Sequence, residues 1–261
     1  MKSRIFHLLC FTLFHAAPIF AQFNETIVSD RPGQSNSPYT VGKMVFQLQT
    51  GLQFGGGNAD NYKSNEFELP AFIRFGITDK IELNTLWGFK NVKTESLNQE
   101  SKSSGLNVVN FGVRFNIFEE TEKAPAVGFE FAYKTKMNSS DFKPDHPATK
   151  FSFMASKGFS DLISVTANLG ADFNGDSSQP DGLYTLNLVL VVSDELSVFF
   201  ENYGFFNGDK FDTYFDFGGA YILNSNLQLD LSGGFGYNDD TFSYLVSGGV
   251  SYRIIKWRKN E

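Results

Sequence analysis

The sequence predicts an all-β protein, an up-and-down antiparallel transmembrane β-barrel of about twelve strands with both termini in the periplasm. Three observations predict it. Apolar and polar side chains alternate over one stretch after another of roughly ten residues, the length that a tilted membrane-crossing strand needs. Phe is the commonest residue with 30 copies and Gly follows with 24, yet mean hydropathy is only -0.21, so apolar residues are interleaved rather than clustered. Brief and longer connections alternate, as in barrels with short periplasmic turns and long external loops.

The N-terminus, MKSRIFHLLCFTLFHAAPIFAQ, carries Lys2 and Arg4, then an apolar run from Ile5, then Ala21 at a cleavage point before Gln22. This is the pattern of a cleaved secretory signal peptide, residues 1–21, too short to span a membrane. Cys10, the only cysteine, follows Leu9 rather than the small residue of a lipoprotein signal, so neither a disulfide nor a lipid anchor is expected. Removing residues 1–21 takes the formal charge from -7 to -9, which disfavours nucleic acid as a partner.

Residues 22–43 form a turn-rich polar lead in which Pro32, Gly33, Asn36 and Pro38 prevent a helix or a long strand. Asp30 and Arg31, beside Pro32, read as a ready ion pair, and the lead as a segment that folds against or into the lumen, with a disordered tether as the alternative. A clean strand then begins at Val45, with Phe46, Leu48, Leu52 and Phe54 facing one way and Gln47, Gln49 and Gln53 the other.

The second and third strands alternate through Phe67–Phe75 and Ile81–Phe89 around the turn Thr78-Asp79-Lys80, with polar loops expected at 55–64 and 91–104. A fourth strand near 106–117 and a fifth near 127–134 flank a tight acidic turn, and a long loop follows at 137–147. The sixth and seventh meet at Ser160-Asp161, with a loop at 174–182. The eighth, 183–192, alternates least because Val189, Leu190, Val191 and Val192 run together. Asn207-Gly208-Asp209 marks a hairpin, and three very regular strands finish the chain. The turns GITDKIEL, GFSDLISV, VVSDELSV and YILNSNLQL look like one hairpin unit reused.

Alternation alone does not say which face is out. Apolar faces turned inward would leave a wide interior to be packed with large rings and aliphatics, awkward at native density. Turned outward they form a lipid-facing band, with Trp87, Phe89, Tyr252 and Trp257 as interfacial girdles. The opposite face then lines a lumen with Glu68, Arg74, Glu82, Arg114, Glu130, Lys134, Glu201, Asp216, Asp230 and Arg253. These residues are candidates either for permeation or for a network of ion pairs that fills a modest barrel.

With these residues laid out, the chain resembles the outer-membrane family named for the meta-pathway of phenol degradation. The similar segments are SDRPGQSNSPYTV leading into VFQLQTGLQF, LPAFIRFGITDKIEL, PAVGFEFAYKTK, FFENYG, and LQLDLSGGFGY with GGVSYR. The resemblance implies an outer-membrane barrel described as a transporter or channel linked to aromatic-compound catabolism. One departure is the end of the chain, where Tyr252-Arg253-Ile254 is followed by a further seven residues rather than by a closing aromatic.

An enzyme is not expected. His146 is the one histidine beyond the leader and has no neighbouring Ser or Asp spacing that defines a triad. Asp172, Asn174 and Asp176 open like a calcium loop, but Ser177 replaces the required Gly and Leu183 the bidentate Glu. No cofactor or metal is called for. The expected organisation is a signal peptide (1–21), a periplasmic lead and lumen plug (22–43), a barrel (44–254) and a short periplasmic tail (255–261). The expected partners are outer-membrane lipid, the outer-membrane assembly machinery and a small organic solute. The function expected is passive uptake or efflux of that solute, against the alternatives of a closed structural or adhesion barrel acting through loops 91–104 and 137–147, or a barrel enzyme.

Overall fold

The computed structural model describes residues 26–97, 99–238 and 240–255, so the signal peptide, most of the tail and Trp257 lie outside the described residues. Twelve strands follow in order: β1 (Phe46–Ala59), β2 (Tyr62–Gly76), β3 (Ile81–Ser96), β4 (Gln99–Phe118), β5 (Ala126–Lys134) and β6 (Ala148–Ser160). The second half is β7 (Ile163–Asp172), β8 (Asp181–Val191), β9 (Leu196–Asn207), β10 (Lys210–Asn224), β11 (Leu227–Asn238) and β12 (Thr241–Ile254). Each pairs antiparallel with its neighbour in sequence, and β1 pairs with β12 from Phe46↔Ile254 to Asn58↔Phe242, closing the barrel. Closure leaves no sheet edge with unpaired N–H and C=O groups, which a strand structure in hydrocarbon cannot tolerate.

The strand periodicity places the faces as expected. Phe54, Phe217, Leu231 and Val246 are exposed on the outer wall, whereas Arg74, Glu82, Arg114 and Glu201 are fully buried inside. The arrangement inverts a water-soluble fold, with an apolar exterior around a polar interior. On β8, the inward positions are Leu183, Thr185 and Asn187, while Leu186, Leu188 and Leu190 face out.

Two expectations about connections require correction. The polar stretches 55–64 and 91–104 are hairpins of paired strand, not loops: β1 runs to Ala59, β3 to Ser96, and β4 starts at Gln99. Polarity there reflects a wall that continues past the apolar band, and backbone pairing does not require apolar side chains. Trp87 consequently sits well inside β3 rather than at its loop end. The segment between β5 and β6 is irregular, with a single 3₁₀ turn at Ser140–Phe142. The β1–β2 ladder lapses between Thr50↔Ala71 and Gln53↔Glu68, opposite Pro70, which has no N–H to give.

Candidate functional site

The polar interior is organised around the lead. From Ile27, whose N–H donates to Ser225 O at 2.9 Å, the chain enters at the short-turn end. It crosses the lumen and leaves beside Asp79, which accepts from Lys43 N at 3.0 Å. Gln47 and Gln49 are buried beneath it, so the polar face of β1 meets polypeptide rather than water. Gln47 Nε2 donates to Val28 O at 2.8 Å.

Asp30 and Arg31 do not form the pair that adjacency suggested. Successive residues of an extended chain point apart, and these two reach opposite walls. Asp30 lies between two guanidiniums, 2.9 Å from Arg114 Nη1 on β4 and 3.3 Å from Arg74 Nη1 on β2, and accepts from Ser37 N at 2.8 Å. Each arginine is fixed in turn by a wall carboxylate. Arg74 makes a fork to Glu82 at 2.7 and 2.9 Å, and Arg114 Nε donates to Glu130 at 2.7 Å. Glu82 also accepts from Val41 N at 2.9 Å, tying the lead's second half to the same cluster. Both guanidiniums sit 5.9 Å from the centroid of Phe72, an inward ring on β2 positioned for cation–π contact. Burial alone would raise the Asp30 carboxyl, but the Arg114 and Arg74 charges and the Ser37 N–H hold it below its ordinary value.

Arg31 turns the other way. Its Nη2 donates to Asp230 on β11 and to Ser247 on β12, each at 2.9 Å, and Gln228 Nε2 holds its carbonyl at 2.8 Å. The guanidinium rests on paired glycines of the closing seam, Gly51 and Gly249. A Cβ on Gly249 would lie 2.4 Å from the guanidinium nitrogens. The Arg31–Pro32 peptide is cis, and Gly33 follows with φ +99, a conformation that favours glycine. The chain then presents two successive N–H groups to Glu201: Gln34 N at 2.6 Å and Ser35 N at 2.8 Å. Asn36 exchanges a pair of hydrogen bonds with the Asn168 side chain, at 2.7 and 2.9 Å. Near the exit the Tyr39 hydroxyl donates to Glu120 at 3.2 Å.

The lead does not fill the interior. A cavity of about 510 Å³ remains beside it, lined by Val28, Asp30, Ser35, Asn187, Phe199 and Gln228 among others.

A family model described as "Putative MetA-pathway of phenol degradation" matches residues 29–254. The chain belongs to this family. The match takes in the Asp-Arg-Pro of the lead as well as the whole wall of this MetA-pathway barrel. Among solved structures, the COG4313 outer membrane channel from Pseudomonas putida F1 is similar at 10% identity and TM-score 0.68, over 85% of this chain and 100% of that one. The translocator domain of the autotransporter NalP from Neisseria meningitidis has 12% identity and TM-score 0.58, over 86% and 90%. The KdgM porin in complex with disordered oligogalacturonate has 13% identity and TM-score 0.52, over 77% and 98%. At these identities the likeness is one of fold, that of outer-membrane β-barrels. No curated protein matches the sequence.

Of the ten wall residues singled out by parity in this MetA-pathway chain, Arg74, Glu82, Arg114, Glu130, Glu201 and Asp230 surround the lead. Asp216 lies one strand from Glu201, directly opposite it in register. Arg253 meets the start of the lead, donating to Thr26 O at 3.2 Å and to Asn226 at 2.9 Å. Two stand apart: Glu68 accepts from Asn107 at 3.0 Å, and Lys134 pairs with Asp172 at 2.6 Å. The Asp172, Asn174 and Asp176 spacing serves a loop: Asn174 Oδ1 accepts from the N–H groups of Asp176 and Ser177, and Asp176 accepts from Asp145 N. His146 uses its backbone N–H to reach Gly175 O. Sequence parity missed the neutral residues that read the lead, Asn168, Thr185 and Gln228. Their signal was available, since each is a polar residue on the inward phase of its strand.

Proposed function

We propose that this barrel is an outer-membrane channel for small organic solutes, aromatic ones among them, and that the lead obstructs its lumen until displaced. Both termini and the short turns then face the periplasm, the loops face outward, and the chain reaches the membrane by a cleaved signal peptide and the assembly machinery. The observation that carries this reading is how the lead is held. Between the buried Ile27 and Val41 at its two ends, its bonds to the wall are ion pairs and hydrogen bonds, which water can replace. Family membership and the likeness of fold to a channel and a porin support it. The lumen charges would act in two ways, Arg74, Glu82, Arg114 and Glu130 as the lead's clamp and Glu201, Asp216 and Asp230 as the facing wall.

Conductance of the purified barrel in planar bilayers tests the proposal. Wild-type protein is expected to show infrequent openings, and a variant lacking residues 26–43 a persistently open pore. Reversing charge at Glu82 or Arg114 is expected to change ion selectivity in that open pore. Absence of current and of solute flux from both wild type and deletion would overturn the channel and favour a closed barrel acting through its loops.

A further inference from the structure

One part of the interior is only partly engaged by the lead. On β9 and β10, two consecutive inward rungs differ in kind. The first joins Tyr203 to Tyr214, rings stacked at 5.2 Å and 18°, with Phe205 edge-on to Tyr214 at 6.5 Å. The second joins Glu201 to Asp216. Across the next ladder stand Gly236 and Gly234, facing Tyr214 and Asp216 respectively. A Cβ at either would collide, 2.3 Å from the Tyr214 ring and 1.8 Å from Asp216 Oδ1, so both side chains lean over bare backbone. The tyrosines lie on the long-loop side of the lead and are half-buried.

The two carboxylates differ in their commitments. Glu201 is occupied by the two N–H groups of the lead and by Asn187. Asp216 is 1% exposed and takes a hydrogen bond from the Gln34 side chain of the lead, but its Oδ1 accepts none. The contrast with β2–β5 is sharp, because there each buried carboxylate faces an arginine. Residues 183–189, 199–205, 212–218 and 230–236 include Glu201, Asp212, Asp216 and Asp230 but no Lys or Arg, and the lead's Arg31 pairs with Asp230. An anionic solute is repelled by this corner. A bare divalent cation lacks oxygens here, because Glu201 is engaged and a hard cation takes six or more.

We propose that the β9–β10 corner of the lumen binds a flat organic cation, an aromatic ring bearing a protonated amine. The ring packs on Tyr203 and Tyr214, and the charge is directed toward Asp216. Stacked rings supply area and a negative π-face, and a water-excluded carboxylate supplies the counter-charge. The proposal names a solute class for the channel reading and rests on that reading for its physiological use.

The test uses the full-length barrel in detergent, titrated calorimetrically with benzylammonium, benzyl alcohol and benzoate, alongside bilayer currents with the same solutes. Benzylammonium is expected to bind roughly tenfold more tightly than benzyl alcohol and to be weakened by salt, with benzoate not binding. Asp216→Asn, and Tyr203→Leu with Tyr214→Leu, should each erase about tenfold of that affinity in protein whose heat-modifiable gel mobility reports a folded barrel. Equal binding of benzylammonium and benzyl alcohol by wild type overturns the proposal whatever the variants do, as does an unchanged affinity in Asp216→Asn. Binding without current refutes the channel and leaves the site standing; current without discrimination among the three solutes refutes the site and leaves the channel.

Discussion

Asp30 and Arg114, separated by 84 positions in sequence, meet at 2.9 Å inside the barrel, and Arg74 closes on the same carboxylate from another strand. One acid of the lead thus satisfies two buried cations of the wall. Removing it leaves Arg74 and Arg114 balanced by Glu82 and Glu130 alone, so the wall cluster stays paired while the lead loses both of its ion pairs there. Asp30→Asn, which preserves shape, is expected to free the lead, raise the open fraction in bilayers and expose residues 26–43 to protease. An unchanged open fraction would show that the pair does not hold the lead.

The same carboxyl sets a pH limit. Its docked value lies below the ordinary 3.8, so its contribution is complete above that value and is lost only as pH falls through the lower, docked one. Protection of the lead against proteolysis, by trypsin above about pH 6 and pepsin below, should therefore persist from neutrality to about pH 4 and fail below. Asp30→Asn should abolish this dependence. Loss of protection near pH 6 in wild type would assign the clamp to another group.

Gly249 offers a steric route to the same outcome. All three atoms that a Cβ there would strike belong to the Arg31 guanidinium. Gly249→Ala is expected to unseat Arg31 from Asp230, with protease sensitivity resembling that of Arg31→Ala. The double variant should be no worse than either single one, the signature of a shared interaction in a mutant cycle.

The outer wall gives a test of orientation. Leu231 is 65% exposed and Ser232, its neighbour, is buried inside. Leu231→Arg should lower folding stability in lipid by about 2–4 kcal/mol if it lies near the midplane of the bilayer. Equilibrium unfolding in vesicles measures this, and a neutral result would remove that face from lipid.

The strand period was legible throughout, because Phe46, Leu48 and Leu52 against Gln47, Gln49 and Gln53 admit only one phase. The inward acids and bases followed from the same parity. What parity could not supply is partnership. Asp30 next to Arg31 read as a pair, yet the extended backbone sends them to β2–β4 and to β11–β12. Residues 91–104 read as a loop because the chain is polar there, although a ladder is held by backbone groups that carry no hydropathy signal. Phe72 shares the phase of Arg74 on β2, but its role beneath two arginines depends on a strand that begins much later.

The position of the lead also constrains how the molecule is made. Residues 26–43 precede every strand, but their partners are spread from β1 to β12, with sequence separations reaching 227 between Thr26 and Arg253. Such contacts form late, since the loops that they close are nearly the whole chain. The lead bonds to β1–β3 across shorter loops, as Val28 to Gln47 and Val41 to Glu82, but reaches β11 and β12 last. It can lock only when the last strand has joined the first, so a docked lead is a record that assembly has finished.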